Sequence, residues 1–106
     1  MREQRLFKRK IIDVVTQFKY HDLDDFMSEH LKDISIGGMF IKTSLPKEVG
    51  EKIYFRFSLD NGKTLIEGYG KIVWANTDGM GIEFINIDKS SLELIEAMLE
   101  LKDVIS

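Results

Sequence analysis

The run Asp33-Ile34-Ser35-Ile36-Gly37-Gly38 decides how this sequence of 106 residues is interpreted. It combines a carboxylate, a hydroxyl and two glycines within six residues, between two apolar segments. A plain connection between strands needs less polar and less flexible chemistry than this. Glycine also lets the backbone approach another group closely. We therefore expect this stretch to face a ligand or a partner.

Alternating apolar residues on both sides of this run predict β-strands. From Lys10 to Tyr20, Ile12, Val14, Thr16, Phe18 and Tyr20 share one face, as in a half-buried strand. Ile53 to Leu59 alternates in the same way. Further strands are predicted at Phe26–Ile34, Met39–Thr43, Thr64–Ala75 and Met80–Ile87, with turns at Asn61-Gly62 and Asn76–Gly79. Gly68 and Gly70 predict a bend or bulge within the fifth strand.

After Asp88 the apolar period changes from two to about three and a half residues. Leu92, Ile95, Met98 and Leu99 fall at helical spacing, and Ser90 and Glu93 have the spacing of a capping box. The sequence therefore predicts a mainly β fold, a small antiparallel barrel of six strands followed by one helix. The domain organisation expected is one domain over residues 1–106, with a flexible basic arm at 1–9, a barrel at 10–87 and a helix at 88–102.

Charge is distributed unevenly along the chain. The net charge is −3, yet the first ten residues contain five basic side chains and one acid. An acidic body with a short basic arm argues against binding to DNA or RNA, which favours a wide positive face. There is no cysteine, no apolar run of membrane-spanning length and no signal peptide pattern. We expect a cytoplasmic protein with no membrane insertion.

Catalytic patterns are absent from the sequence. His21 and His30 lie nine residues apart and match no zinc spacing. The acidic run Asp22, Asp24, Asp25 lacks the glutamate of an EF-hand, and Ser35 lies in no nucleophile elbow. We expect no enzyme activity, no metal site and no cofactor.

Binding of a small anion is better supported by the residues. Arg5 and Arg9 have the spacing Arg-x-x-x-Arg, and the arginine fork suits phosphates and the guanine edge. Asp33 can accept hydrogen bonds from a purine edge, Ser35 can bond a base or a phosphate, and the glycines allow close backbone approach. The combination fits a guanine nucleotide with several phosphates or a cyclic one.

These two motifs, Arg5-x-x-x-Arg9 and Asp33-x-Ser35-x-x-Gly38, resemble the two-part signature of the PilZ domain, a family of bacterial receptors for cyclic di-GMP. The resemblance extends to Gly-Gly-Met-Phe-Ile at 37–41, Val-Trp at 73–74 and Gly-Met-Gly-Ile-Glu-Phe at 79–84. It implies a six-stranded antiparallel PilZ-type barrel with a C-terminal helix, in agreement with the strand and helix pattern.

The resemblance also implies roles for individual residues. Arg5 and Arg9 would hold the phosphates and stack on or bond the guanines. Asp33 and Ser35 would bond a guanine edge, and Gly38 with Gly37 would permit close backbone approach. We therefore expect a cyclic di-GMP receptor or effector domain that acts on a downstream protein. The alternatives are a PilZ-like interaction module that binds no nucleotide and a small-barrel binder of single-stranded nucleic acid.

Several other side chains are expected to be structural. Trp74 is predicted to pack beneath the helix, and Met39, Met80 and Met98 are predicted to fill the core. Arg56 and Lys71 fall on outward strand faces and are expected to keep the protein soluble.

Overall fold

A computed structural model of the chain describes residues 9–21, 24–44, 46–59 and 64–105. Six strands and one helix follow one another: β1 Arg9–Tyr20, β2 Met27–Ser35, β3 Gly38–Lys42, β4 Lys52–Leu59, β5 Thr64–Asn76, β6 Gly79–Ile87 and α1 Lys89–Ile105. The predicted turn at Asn61-Gly62 lies outside the described residues.

The six strands form one closed antiparallel barrel. Its strand order is β1-β2-β3-β6-β5-β4, and β4 pairs with β1 to close the ring. Closure leaves no unpaired edge strand in the sheet. The predicted fold class, a six-stranded antiparallel barrel with a C-terminal helix, is confirmed.

The alternating apolar residues fill the interior of the barrel. Phe18 of β1 and Phe55 of β4 are fully buried, and Ile53 and Phe57 on the same face of β4 are nearly so. The three methionines predicted to fill the core, Met39, Met80 and Met98, are buried. Because packed side chains occupy the interior, a ligand site has to lie on the rim or the outer wall.

Irregular register at two places changes which way the side chains of β5 and β6 face. Between Tyr69 and Gly70 the ladder shifts by one residue on β6, which agrees with the bulge predicted from the glycines. Between Ile72 and Trp74 it shifts again, this time with the extra residue on β5. A one-residue shift exchanges the inward and outward faces of the strand that follows.

Helix α1 packs against β5 and β1. Ile95, Met98 and Leu99 join the barrel core, and the Lys10 ammonium donates to the carbonyl of Met98 at 3.4 Å. The helix thus closes one end of the barrel. No helix in the described part of the chain is both long and apolar enough to cross a lipid bilayer.

The residue that caps α1 differs from the prediction. The Asp88 carboxylate accepts from the backbone amide of Ser91 at 3.2 Å and from the Ser90 hydroxyl. Asp88 therefore caps the helix, and the predicted Ser90–Glu93 box does not. The reason is positional: the helix already begins at Lys89, so Ser90 lies within its first turn. These hydrogen bonds lower the pKa of Asp88.

Strand β1 begins one residue earlier than predicted. The backbone of Arg9, expected in the arm, pairs with Ser35 of β2, and Ile11 pairs with Asp33. Residues 1–8, which include Arg5, lie outside the described residues, as does the side chain of Arg9. The first residues of β1 consequently run beside the end of β2, where the opening motif lies.

Candidate functional site

The turn from β2 to β3 is held by the side chain of Ser35. Its hydroxyl accepts from the backbone amide of Gly37 at 3.3 Å and donates to the carbonyl of Gly38 at 3.4 Å. The Gly37 carbonyl in turn accepts from the amide of Phe84 on β6 at 3.0 Å. Ser35 is only 4% exposed. The turn is therefore tied both to itself and to the neighbouring strand.

Gly38 is required by the packing of the backbone. A Cβ atom placed there would overlap the carbonyl oxygen of Ile82 on β6, and the neighbouring Cα of Glu83 would lie at 3.3 Å. Because the obstruction is backbone, it cannot move aside as a side chain could. The absence of a side chain at this position allows β3 to approach β6 closely at the start of the site.

This turn forms one end of a groove of about 720 Å³ on the outer wall of the barrel. Asp33, Ser35, Gly37 and Gly38 line that end of the groove. The groove then continues across β3, β6 and β5, where Met39, Phe40, Val73, Trp74, Gly81, Ile82 and Glu83 line it. It starts at the β2–β3 turn and extends along the wall.

Two stacked aromatic rings line the part of the groove away from the turn. Phe40 of β3 and Trp74 of β5 have ring centroids 5.4 Å apart and planes inclined by 15°. Trp74 is 45% exposed, so its predicted place beneath the helix is wrong. The bulge at Val73 is the reason, since it turns Trp74 to the outer face, opposite Gly81. Flat, exposed aromatic faces are suited to stacking on a planar base.

Among the described residues, the ionisable side chains of the groove are the carboxylates of Asp33 and Glu83. Carboxylates accept hydrogen bonds and repel phosphates. An anionic ligand in this groove would therefore need cations from elsewhere. The backbone pairing of Arg9 with Ser35 brings the first residue of β1 to this end of the groove.

The predicted site residues are thus partly assembled in the structure. Asp33, Ser35, Gly37 and Gly38 share one groove. The backbone of Arg9 pairs with Ser35, and its side chain, like Arg5, lies outside the described residues. Sequence reasoning did not identify Phe40 or Glu83 as groove residues. A usable signal was present: Gly79 and Gly81 alternate on one face of β6, which leaves room for large rings on the neighbouring strands.

In the described part of the chain, no group of three or more histidine and acidic side chains could hold a metal ion. His30 lies on the outer face of the barrel, where its Nδ1 is 2.6 Å from the Asp13 carboxylate. Lys32 bonds the other oxygen of Asp13 at 3.1 Å. These bonds lower the pKa of Asp13, and the cluster is a surface ion-pair network.

Comparison with solved structures supports the same fold. The inhibitor of motility MotI/DgrA of Bacillus subtilis has a TM-score of 0.80 and 13% identity, over 97% of this chain. This chain spans about half of that protein, 52% of its length. The PilZ domain of CeSA from a cellulose-synthesizing bacterium has a TM-score of 0.65 and 18% identity, over 91% of this chain and 98% of the other.

Sequence comparison identifies the family directly. No curated protein sequence matches the chain significantly. The sequence model of the PilZ domain, however, matches residues 3–101. That match covers almost the whole chain, including both motifs and all six strands. The chain therefore belongs to the PilZ domain family.

Proposed function

We propose that this domain is a receptor for cyclic di-GMP and that it binds the nucleotide in the outer-wall groove. PilZ domains are regulatory receptor domains, and cyclic di-GMP is the ligand of the family. The observation that carries the proposal is the placement of Asp33, Ser35, Gly37 and Gly38 at one end of the groove whose other part is lined by the Phe40–Trp74 stack. Base recognition and base stacking are thus available in one continuous site.

Each part of the groove suits one part of the ligand. The Asp33 carboxylate can accept from the ring and amino N–H groups of a guanine edge. The exposed ring of Trp74 offers a stacking face, worth about 1–3 kcal/mol per base in other nucleotide-binding proteins. Gly37 and Gly38 carry no side chains, so a ligand can approach the backbone of this turn closely.

The phosphates require the N-terminal cations. Both described ionisable side chains of the groove are acidic, whereas the first ten residues contain Arg2, Arg5, Lys8, Arg9 and Lys10. Arg5 and Arg9 match the arginine motif of the family and would grip the phosphates through paired hydrogen bonds. Ligand binding would in this way join the N-terminus to the groove and change the surface presented to a downstream protein. Control of motility is one possible output, since MotI/DgrA is an inhibitor of motility.

One titration series tests the proposal. Cyclic di-GMP, GTP and a short single-stranded oligonucleotide are titrated into the purified protein at low and physiological salt, by calorimetry and by the fluorescence of Trp74, the only tryptophan. Saturable binding of cyclic di-GMP, with weaker binding of GTP, is expected. Preferential, steeply salt-dependent binding of the oligonucleotide would identify a nucleic-acid binder instead. Absence of binding by all three would favour an interaction module.

A further inference from the structure

A second surface, centred on β4, has the chemistry of a docking site. It lies on the outer face of β4 and its neighbours and consists of Phe26, Lys52, Tyr54, Arg56, Tyr69 and Lys71, which we call the basic aromatic face. Around the ring of strands, β4 is three strands from β3 in either direction. The groove also crosses β5, at Val73 and Trp74, but no residue of this face lines it.

Three aromatic rings form the centre of the basic aromatic face. The ring centroids of Tyr54 and Tyr69 are 5.3 Å apart, and those of Phe26 and Tyr54 are 5.9 Å apart. Tyr69 is half exposed and Phe26 is 38% exposed. The hydroxyl of Tyr54 donates to the Glu67 carboxylate, which raises the pKa of Tyr54 and fixes its ring. Exposed, ordered tyrosines are typical of the centres of protein interfaces.

Arg56 is held in place by an aromatic ring and an amide, and its register partner on β5 is Glu67. Its guanidinium carbon lies 4.2 Å from the centre of the Phe26 ring, and its Nε donates to the Gln17 side chain at 2.9 Å. In the described part of the chain no carboxylate forms a salt bridge with it. The two terminal nitrogens of an arginine oriented in this way can donate paired hydrogen bonds to a carboxylate from another molecule.

The lysines of this face add to an unbalanced positive charge. Lys52 of β4 and Lys71 of β5 are direct register partners, and like charges placed opposite each other destabilise a sheet. Neither they nor Lys19 forms a salt bridge within the described ranges, whereas Lys32 of β2 pairs with Asp13 of β1. Three acids adjoin the face: Glu67 is the register partner of Arg56, Glu83 is that of Lys71, and Asp88 lines a pocket with Tyr54 and Tyr69. The four cations, which are Lys19, Lys52, Arg56 and Lys71, exceed these acids by one charge, although the net charge of the chain is −3.

We propose that the basic aromatic face docks an acidic, extended segment of a partner protein. Arg56 and Lys52 are four residues apart on β4, which places them about 13 Å apart along the strand. The rings of Tyr54 and Tyr69 lie between these charges. A short segment with carboxylates at both ends and an apolar side chain in the middle matches this arrangement. The proposal is independent of nucleotide binding.

The test uses two labelled peptides of about ten residues. One has glutamates flanking a central leucine, and the other has lysines in place of the glutamates. Fluorescence anisotropy should detect binding of the glutamate peptide only, and amide chemical shifts should change at Tyr54 and Tyr69. The double variant K52E/K71E should weaken this binding about tenfold or more and should bind the lysine peptide instead. Asp33→Ala should bind the glutamate peptide normally, even if the domain binds no nucleotide.

The matched control is K42E/K89E, which makes the same change of net charge at two exposed lysines outside this face. It should bind the glutamate peptide as the wild type does. Equal losses in the two double variants would overturn the proposal, because bulk charge would then explain the binding. So would equal binding of both peptides, no binding of either, or binding only to vesicles that contain anionic lipid, which would indicate a membrane-binding surface.

Discussion

Phe40 and Trp74 stack on each other across β6, with ring centroids 5.4 Å apart and planes inclined by 15°. The stack depends on two glycines of the strand between them. A Cβ atom on Gly79 would overlap the carbonyl oxygen of Ile41 and come within 2.7 Å of the Phe40 ring, and one on Gly81 would overlap the Trp74 indole. The outer face of β6 is therefore a flat track on which both rings lie. The shape of the groove is set by these absent side chains as much as by the rings.

Substitution of Gly81 by alanine should displace Trp74 while the barrel remains folded. The new methyl group would occupy the space of the indole, which is nearly half exposed and can rotate outward. We expect a changed tryptophan emission spectrum and a loss of stability of about 1 kcal/mol, at the low end of the range for overpacking. Tryptophan fluorescence and denaturant unfolding measure the two effects.

Gly38→Ala is the informative comparison for that variant. There the methyl group would meet the backbone carbonyl of Ile82, which cannot rotate away. The loss of stability should be larger, about 2–3 kcal/mol, with tryptophan emission less affected. Equal destabilisation by the two substitutions would contradict the assignment of a side-chain obstacle at Gly81 and a backbone obstacle at Gly38.

The part of the fold that follows from alternation was predictable, and the part that follows from bulges was not. Ile53, Phe55 and Phe57 alternate without interruption, and they are buried as expected. Trp74 continues the inward parity of Ile66 and Ile72 in the sequence, yet the extra residue at Val73 sends it outward. A bulge leaves only a weak trace in a single sequence, because its cause is the fit between two strands.

The candidate site was predictable where a short motif specifies it. Asp33, Ser35, Gly37 and Gly38 are local in sequence, and one turn brings them into one groove. Phe40 and Glu83 enter that groove only through the register of β3 with β6, which requires knowledge of strand order. The cap of α1 was misassigned for a simpler reason: Asp88 and Ser90 are both good capping residues, and sequence alone did not choose between them.

Loss of a charged signature residue should weaken cyclic di-GMP binding without unfolding the domain. Arg5→Ala, Arg9→Ala and Asp33→Ala should each cost about 1.5–3 kcal/mol of binding free energy, the value of a hydrogen bond to a charged group. That corresponds to a dissociation constant about 10- to 150-fold higher. Calorimetry measures the affinity, and thermal unfolding confirms that each variant is folded.

Lys8→Ala is the matched control for the arginine variants, since it removes one charge from the same N-terminal sequence outside the motif. It should weaken binding much less than either arginine substitution. Unchanged affinity in both arginine variants would remove them from the site. A large fall in melting temperature for Asp33→Ala would show that its role is to hold the strand end.

Ser35→Ala should act mainly through the shape of the turn. The substitution removes the acceptor of the Gly37 amide and the donor to the Gly38 carbonyl, at a buried position. We expect a loss of about 1–3 kcal/mol in the free energy of unfolding, together with weaker nucleotide binding. If affinity falls while stability is unchanged, the hydroxyl acts on the ligand and not on the turn. Unfolding in urea and calorimetry on the same samples distinguish these results.

The cap at Asp88 should make the stability of the domain depend on pH in the acid range. Hydrogen bonds from Ser90 and Ser91 lower the pKa of this carboxyl in the folded state from its ordinary value of 3.8. Its stabilising contribution is therefore complete above that value and is lost as the pH falls through the lower folded pKa.

Asp88→Asn can still cap the helix but cannot titrate. The difference in stability between this variant and the wild type should therefore change only in this acid range. Melting temperatures of the wild type, Asp88→Asn and the exposed control Asp24→Asn, measured from neutral pH downward, test this. If acid lowers the melting temperature of Asp88→Asn as much as that of the wild type and the control, other carboxyls determine the acid sensitivity.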